Sequence, residues 1–148
     1  MKRLFRNIWK AHRKLWCVKI IPLMIFNKWR IFFYRAIGFK NISKKCFIGM
    51  RCYFDDMEPK MLIIEDDVIV SCGVFMTCHG RKQHHHQIII KNGAYVGMRA
   101  SIITRGGTTI IGSNAVVGAC SLVNKSIPDG ETWAGIPAKK IESRGLPL

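Results

Sequence analysis

The chain has 148 residues, 49% of them hydrophobic, and a formal net charge of +15. That is enough apolar material for one packed domain with an appendage, and too much for an unfolded chain. The charge is gathered at one end: residues 1–50 hold 13 of the 24 Lys and Arg and none of the nine Asp and Glu, so the rest is nearly neutral.

Met1 to about Lys19 reads as a helix. At 100° per residue, Leu4, Ile8, Ala11, Leu15 and Val18 fall within roughly ±40° of one direction. Phe5, Trp9 and Trp16 widen that face. Lys2, Arg3, Arg6, Lys10, Arg13 and Lys14 lie opposite. A helix with this division lies in a membrane interface, so residues 1–19 suggest peripheral binding to an anionic membrane. The same face could instead cap an open end of the fold, and one helix can do both. Arg and Trp together also raise RNA, but no nucleic-acid motif accompanies them, and no nucleic-acid partner is expected. Pro22 interrupts the chain, and a second helix is expected within Leu23–Ile37. The longest charge-free run here, Ile20 to Asn27, is eight residues. A spanning helix needs about twenty, so no transmembrane segment is expected.

From Ile42 an aliphatic or large apolar residue recurs every six positions in four triads. These are Ile42, Ile48 and Phe54; Ile64, Val70 and Met76; Ile90, Val96 and Ile102; Ile111, Val117 and Val123. Six is three times the strand period, so all twelve side chains face one way. Such a segment cannot close a core alone and must stack on its own copies. The expectation is an all-β parallel β-helix of about four coils with an N-terminal α-helical appendage. Its parts are a basic helical segment at 1–40, the repeat at 41–128 and a tail at 129–148. The gaps between triads exceed six residues only after each third hexad, at Asp55–Leu62, Gly80–Gln87 and Thr104–Thr109. These excursions should therefore leave one corner of a prism, with the tail from Asp129 beside them. Insertions gathered on one side of a repeat array often build its binding face.

The run Asn114-Ala-Val-Val-Gly-Ala-Cys-Ser-Leu-Val-Asn-Lys-Ser-Ile-Pro128, followed by Ala134-Gly-Ile-Pro-Ala-Lys139, resembles the C-terminal signature of hexapeptide-repeat acyltransferases. The likeness is greatest to the maltose/galactoside acetyltransferase type and to relatives that acetylate bacterial surface polysaccharides. It covers about Ile42 to Ile141. It implies a left-handed β-helix, a homotrimer and acetyl-CoA as the acyl donor, with a saccharide acceptor. Handedness comes from the resemblance alone, since the usual crossover rule favours right-handed connections.

Acyl transfer to a hydroxyl needs a base for the hydroxyl proton, and an imidazole suits that task. His79 ends the second coil and matches the position of the family's catalytic histidine. Its orienting partner is open at this stage, as is the oxyanion donor. The resemblance places Gly97, Ser101, Ala115, Gly118 and Ala119 along the donor groove. It places Ala134, Gly135, Pro137, Lys139 and Lys140 in the coenzyme-binding C-terminal segment, with the lysines as charges for phosphate. Ile136 departs from the family, which often has Asn there. The run His84-His85-His86 could bind Zn²⁺ as in β-helical carbonic anhydrases. Consecutive residues alternate faces, so a polar loop touching the acceptor is the preferred reading and no metal is expected. A metal-binding β-helix and a membrane-bound scaffold remain the alternative classes. Cys46 and Cys52, like Cys72 and Cys78, are six apart, which is the repeat period and not a ligand spacing. With no disulfide framework or secretory signal, a reducing cytoplasm is the expected compartment.

Overall fold

The structure, a computed structural model, describes residues 2–79 and 86–141. Helix α1 (Lys2–Leu15) runs through a π-helical turn, Trp16–Ile20, into a 3₁₀ turn, Ile21–Leu23, and then helix α2 (Asn27–Ala36). Thirteen short strands follow among the described residues. They are β1 (Phe47–Ile48), β2 (Tyr53–Phe54), β3 (Leu62–Ile64), β4 (Ile69–Val70), β5 (Phe75–Thr77), β6 (Ile88–Ile90), β7 (Tyr95–Val96), β8 (Ser101–Ile103), β9 (Thr109–Ile111), β10 (Val116–Val117), β11 (Leu122–Val123), β12 (Thr132–Ala134) and β13 (Lys139–Lys140). They form three faces: β3-β6-β9, β1-β4-β7-β10-β12-β13, and β2-β5-β8-β11. Every pairing is parallel except β12 with β13.

The register is that of the hexads. Ile48 pairs with Val70, Val70 with Val96, and Val96 with Val117, each side chain stacked on its counterpart one layer away. All twelve hexad-opening residues are at most 1% exposed. Each such aliphatic burial contributes about 1.5–3 kcal/mol, which is what holds strands of two or three residues in place. Cys46 and Cys52 are buried in this interior, at the positions that Val68 and Val74 fill in the next layer.

Two of the three corners are tight turns. One is turned by Asp67, Gly93, Asn114 and Gly130, the other by Arg51, Gly73, Arg99 and Cys120, all with positive φ. Gly97 sits beside the second corner, where a Cβ would come within 2.6 Å of Ala119 N. Layers packed this closely leave no room for inserted residues. The excursions accordingly all lie at the third corner, between β2 and β3, β5 and β6, and β8 and β9.

The tail departs from the expected course. It does not leave at that corner. The chain turns it tightly from Val123, and the Ile127 N–H donates to Ile110 O at 2.8 Å. Ile127 bridges Ile111, and Trp133 pairs with Val117. The repeat therefore runs past the expected boundary at 128, through β12, before β13 folds back across the edge. The shortened corner hides this in the sequence: Ile127 follows Val123 by four residues, and the next inward residue is a tryptophan.

The helices cap the first coil, but not with the face expected. The α1 stripe of Leu4, Ile8, Trp9 and Leu15 stays exposed. The cap is built from residues further on. Cys17, Ile21, Ile31, Tyr34 and Phe39 are buried, and Tyr34 and Phe39 close over Phe54 with ring centroids 4.9 and 6.0 Å away. Lys2, Arg3, Phe5 and Arg6 have side chains outside the described set. Arg30 is 2% exposed, and among the described residues it forms no ion pair with a carboxylate. It donates instead to the carbonyls of Ile48 at 2.8 Å and Ile25 at 2.9 Å, and to that of Met24. Burial lowers its pKa from the ordinary value. Arg30→Met should leave those carbonyls unanswered and cost about 2–4 kcal/mol. Thermal unfolding should fall by roughly 5–15 °C. An unchanged melting temperature would show that the cap is held by apolar contacts alone.

Candidate active site

The third corner brings residues of two excursions together. Phe54 pairs with Met76, so Asp55 and Thr77 lie side by side as β2 and β5 end. The Asp55 N–H donates to Met76 O at 3.1 Å, which aims its side chain along the corner. Three N–H donors then converge on one carboxylate. Asp55 Oδ1 accepts from Met57 N at 3.0 Å. Asp55 Oδ2 accepts from Cys78 N at 3.0 Å and meets His79 Nδ1 at 2.5 Å. Both oxygens are already acceptors, so the proton in the last contact sits on Nδ1. That leaves His79 Nε2, which meets no hydrogen-bond partner among the described residues, as the nitrogen that can accept a proton. The Asp55 side chain is 1% exposed and that of His79 34%. The arrangement is a buried orienting carboxylate behind an imidazole that reaches solvent.

The Cys78 thiol lies beside this pair and, unlike the Cys78 N–H, takes no part in it. Burial first, and the Asp55 charge second, push the thiol up to about 12. That favours the neutral S–H over the reactive thiolate. His86 is also near. Its N–H donates to Cys78 O at 2.6 Å, closing the base of the second excursion. Its Nδ1 accepts from Gly107 N at 3.0 Å, which ties that base to the third excursion. His84 and His85 lie outside the described residues. Among the described residues, no group of three or more His, Cys, Asp or Glu is placed to hold a metal ion.

The small residues expected along a donor groove lie away from His79 in the coil. Gly97, Gly118 and Ala119 lie at the tight corner after β7 and β10, and Ser101 opens β8. Ala115 and Gly97 are buried, so their size is set by packing between layers. Ser101 and Gly118 are half-buried, and Ala119 is exposed. Ala134 ends β12, while Gly135 and Pro137 form the exposed turn into β13. Lys140 is paired with Glu131 at 2.7 Å, whereas Lys139 carries its charge in solvent. The face formed by β2, β5, β8 and β11, on which Ser101 lies, runs between the corner of Gly97, Gly118 and Ala119 and the corner of His79.

Asp55 is the residue that reading the sequence missed. Its signal was the hexad register itself: Phe54 and Met76 are equivalent, which makes Asp55 the neighbour of Thr77, two residues before His79. In the sequence it reads as one more acidic residue of an excursion.

No protein-family model matches the chain. It is 32% identical over 88 residues to a galactoside O-acetyltransferase of Escherichia coli, covering 53% of this chain and 42% of that protein. It is 32% identical over 105 residues to a serine acetyltransferase of Buchnera aphidicola, covering 67% of this chain and 37% of that protein. The chain thus spans less than half the length of these curated relatives. Among solved structures it superposes on the hexapeptide-repeat containing acetyltransferase VCA0836 of Vibrio cholerae, complexed with acetyl coenzyme A. The TM-score is 0.63 at 18% identity, over 92% of this chain and 85% of that one. The fold is accordingly the left-handed parallel β-helix.

Proposed function

The chain belongs to the hexapeptide-repeat acyltransferase family, and on that premise we propose that it is an acyl-CoA-dependent O-acyltransferase. It moves an acetyl group from acetyl-CoA to a sugar hydroxyl, in the synthesis of a surface polysaccharide or a lipid-linked saccharide. The observation that carries this reading is the Asp55–His79 pair, with Nε2 left free at a corner rich in inserted loops. Nε2 takes the hydroxyl proton as the oxygen attacks the thioester carbon. The tetrahedral intermediate then expels the sulfur, which receives that proton back from Nε2. The products are an acetyl ester and coenzyme A. Throughout, Asp55 keeps the Nδ1–H in place and faces the imidazolium that forms.

The donor is assigned to the face of β5, β8 and β11. Ser101, Gly118 and Ala119 line the approach, and Ala134, Gly135 and Pro137 shape the far end. Gly97 and Ala115 contribute by allowing close layers. Lys139 is better suited than Lys140 to meet coenzyme phosphates, because Glu131 already occupies Lys140. A homotrimer is supported by an outward apolar ladder. Phe47, Ile69 and Tyr95 stack in register across β1, β4 and β7, and each is 41–45% exposed. Peripheral membrane association is supported by the exposed stripe of α1. None of the described helices is long and apolar enough to cross a membrane.

The likeness to serine acetyltransferases favours a second acceptor class, the hydroxyl of a small amino acid. One experiment separates the two: thiol release from acetyl-CoA with a panel of sugars, nucleotide sugars and hydroxy amino acids. Turnover with a saccharide and not with serine is expected. Turnover with serine alone would reverse the acceptor assignment, and no turnover with any acceptor would remove the acyltransferase reading.

A further inference from the structure

The helical cap carries a cavity of about 690 Å³ against α2. Ile31, Phe32 and Ala36 form an apolar wall, and Lys28, Arg35, Lys40 and Lys44 stand around it. Arg35 is committed to the carbonyls of Lys40 and Ile42. Lys28, Lys40 and Lys44 are exposed, and none of the residues lining the cavity is an Asp or Glu. The surface beside the cavity is apolar: Trp29 is 58% exposed and Phe32 64%, and with Phe33 they line an adjoining hollow. Large apolar side chains left this open, rimmed only by positive charge, suit an occupant with an anionic head and a hydrocarbon tail.

We propose that this cavity binds an anionic membrane lipid, its phosphate on Lys40 and Lys44 and an acyl chain against Ile31 and Phe32. The proposal rests on the peripheral-membrane reading and changes its emphasis. The docking surface is then chiefly α2 and the turn before it, with α1 as a second, parallel contact. Burying Trp29 and Phe32 in the interface removes their apolar area from water, while the lysines meet lipid phosphate. A free phosphate would satisfy the lysines and leave the apolar wall in water. A lipid satisfies both, and for that reason the membrane is chosen.

The test is sedimentation of the full chain with vesicles of phosphatidylcholine alone, and with phosphatidylcholine containing phosphatidylglycerol. Wild type, Lys40→Glu/Lys44→Glu, Phe32→Ser and a truncation lacking residues 1–15 are compared. The cut stops at Leu15 because Trp16 stacks on Phe33 and Cys17 is buried. The lysines are solvent-exposed, so their reversal leaves the fold intact, and far-ultraviolet circular dichroism checks it. Binding to the anionic vesicles should fall about thirtyfold or more on lysine reversal. Phe32→Ser should weaken it about tenfold, and the truncated chain should keep most of it. If truncation abolishes binding and lysine reversal does nothing, α1 alone is the anchor: the cavity proposal is overturned while the peripheral reading stands. If the full chain binds neither vesicle, both are overturned. Equal binding to the two compositions also overturns the cavity proposal, since it leaves the lysines no part.

Discussion

Replacing His79 with alanine is expected to lower kcat by about 10²-fold or more, with coenzyme A affinity nearly unchanged. In the proposed reaction the imidazole meets the reacting hydroxyl and not the bound coenzyme, so its loss belongs to the transition state. Its backbone is held independently, because β5 is paired on both sides, with β2 and with β8. The variant should therefore fold and melt close to the parent. His86→Ala offers the contrast. His86 has its Nδ1 occupied by Gly107 N–H, and its removal should loosen the two excursions more than it lowers turnover. Single-turnover thiol release at saturating acceptor measures the chemical step directly. Near-normal turnover by His79→Ala on the true acceptor would move the search to the neighbouring histidines.

How far the sequence leads is set by what is periodic. The hexads specify which side chains point inward, and the inward set is the fold. From Ile42 to Val123 the register was legible residue by residue, and so was the corner that collects the excursions. The fifth layer was not, because Ile127 arrives early and Trp133 replaces an aliphatic residue. In the helical cap, periodicity misled. The stripe from Leu4 to Leu15 is the cleaner amphipathic pattern, yet the buried contacts come from Cys17, Ile21 and Tyr34. Those residues lie where a π-helical turn and Pro22 break the helical spacing. Arg30 was invisible as a core residue, since only the fold supplies the free carbonyls that accept its hydrogen bonds. For the site, His79 was singled out by its place at the end of a coil together with the family resemblance. Asp55 needed the stacking of one coil on the next, a relation that spans 24 residues.

Asp55→Asn should lower kcat by about 10²-fold or more and also destabilise the fold by about 1–3 kcal/mol. Three donors meet the Asp55 carboxylate: Met57 N–H on one oxygen, and Cys78 N–H with His79 Nδ1–H on the other. An asparagine has a single acceptor oxygen. With that oxygen toward Cys78 and His79, its amide group opposes the Met57 N–H. With the amide reversed, it opposes the Cys78 N–H and donates to Nδ1. That second orientation forces the proton onto Nε2, and the imidazole ceases to be a base at the atom facing the acceptor. Either orientation leaves one N–H without a partner, the part-buried one of Met57 or the buried one of Cys78, which is the source of the stability loss. The two effects separate experimentally. Melting temperature reports the unpaired donor, and turnover well below the melting transition reports the tautomer. Combining Asp55→Asn with His79→Ala gives the sharper reading. If Asp55 acts only through His79, the double variant should be no slower than His79→Ala alone, although less stable. Full multiplication of the two rate losses would show that Asp55 contributes to turnover by a route that does not pass through the imidazole.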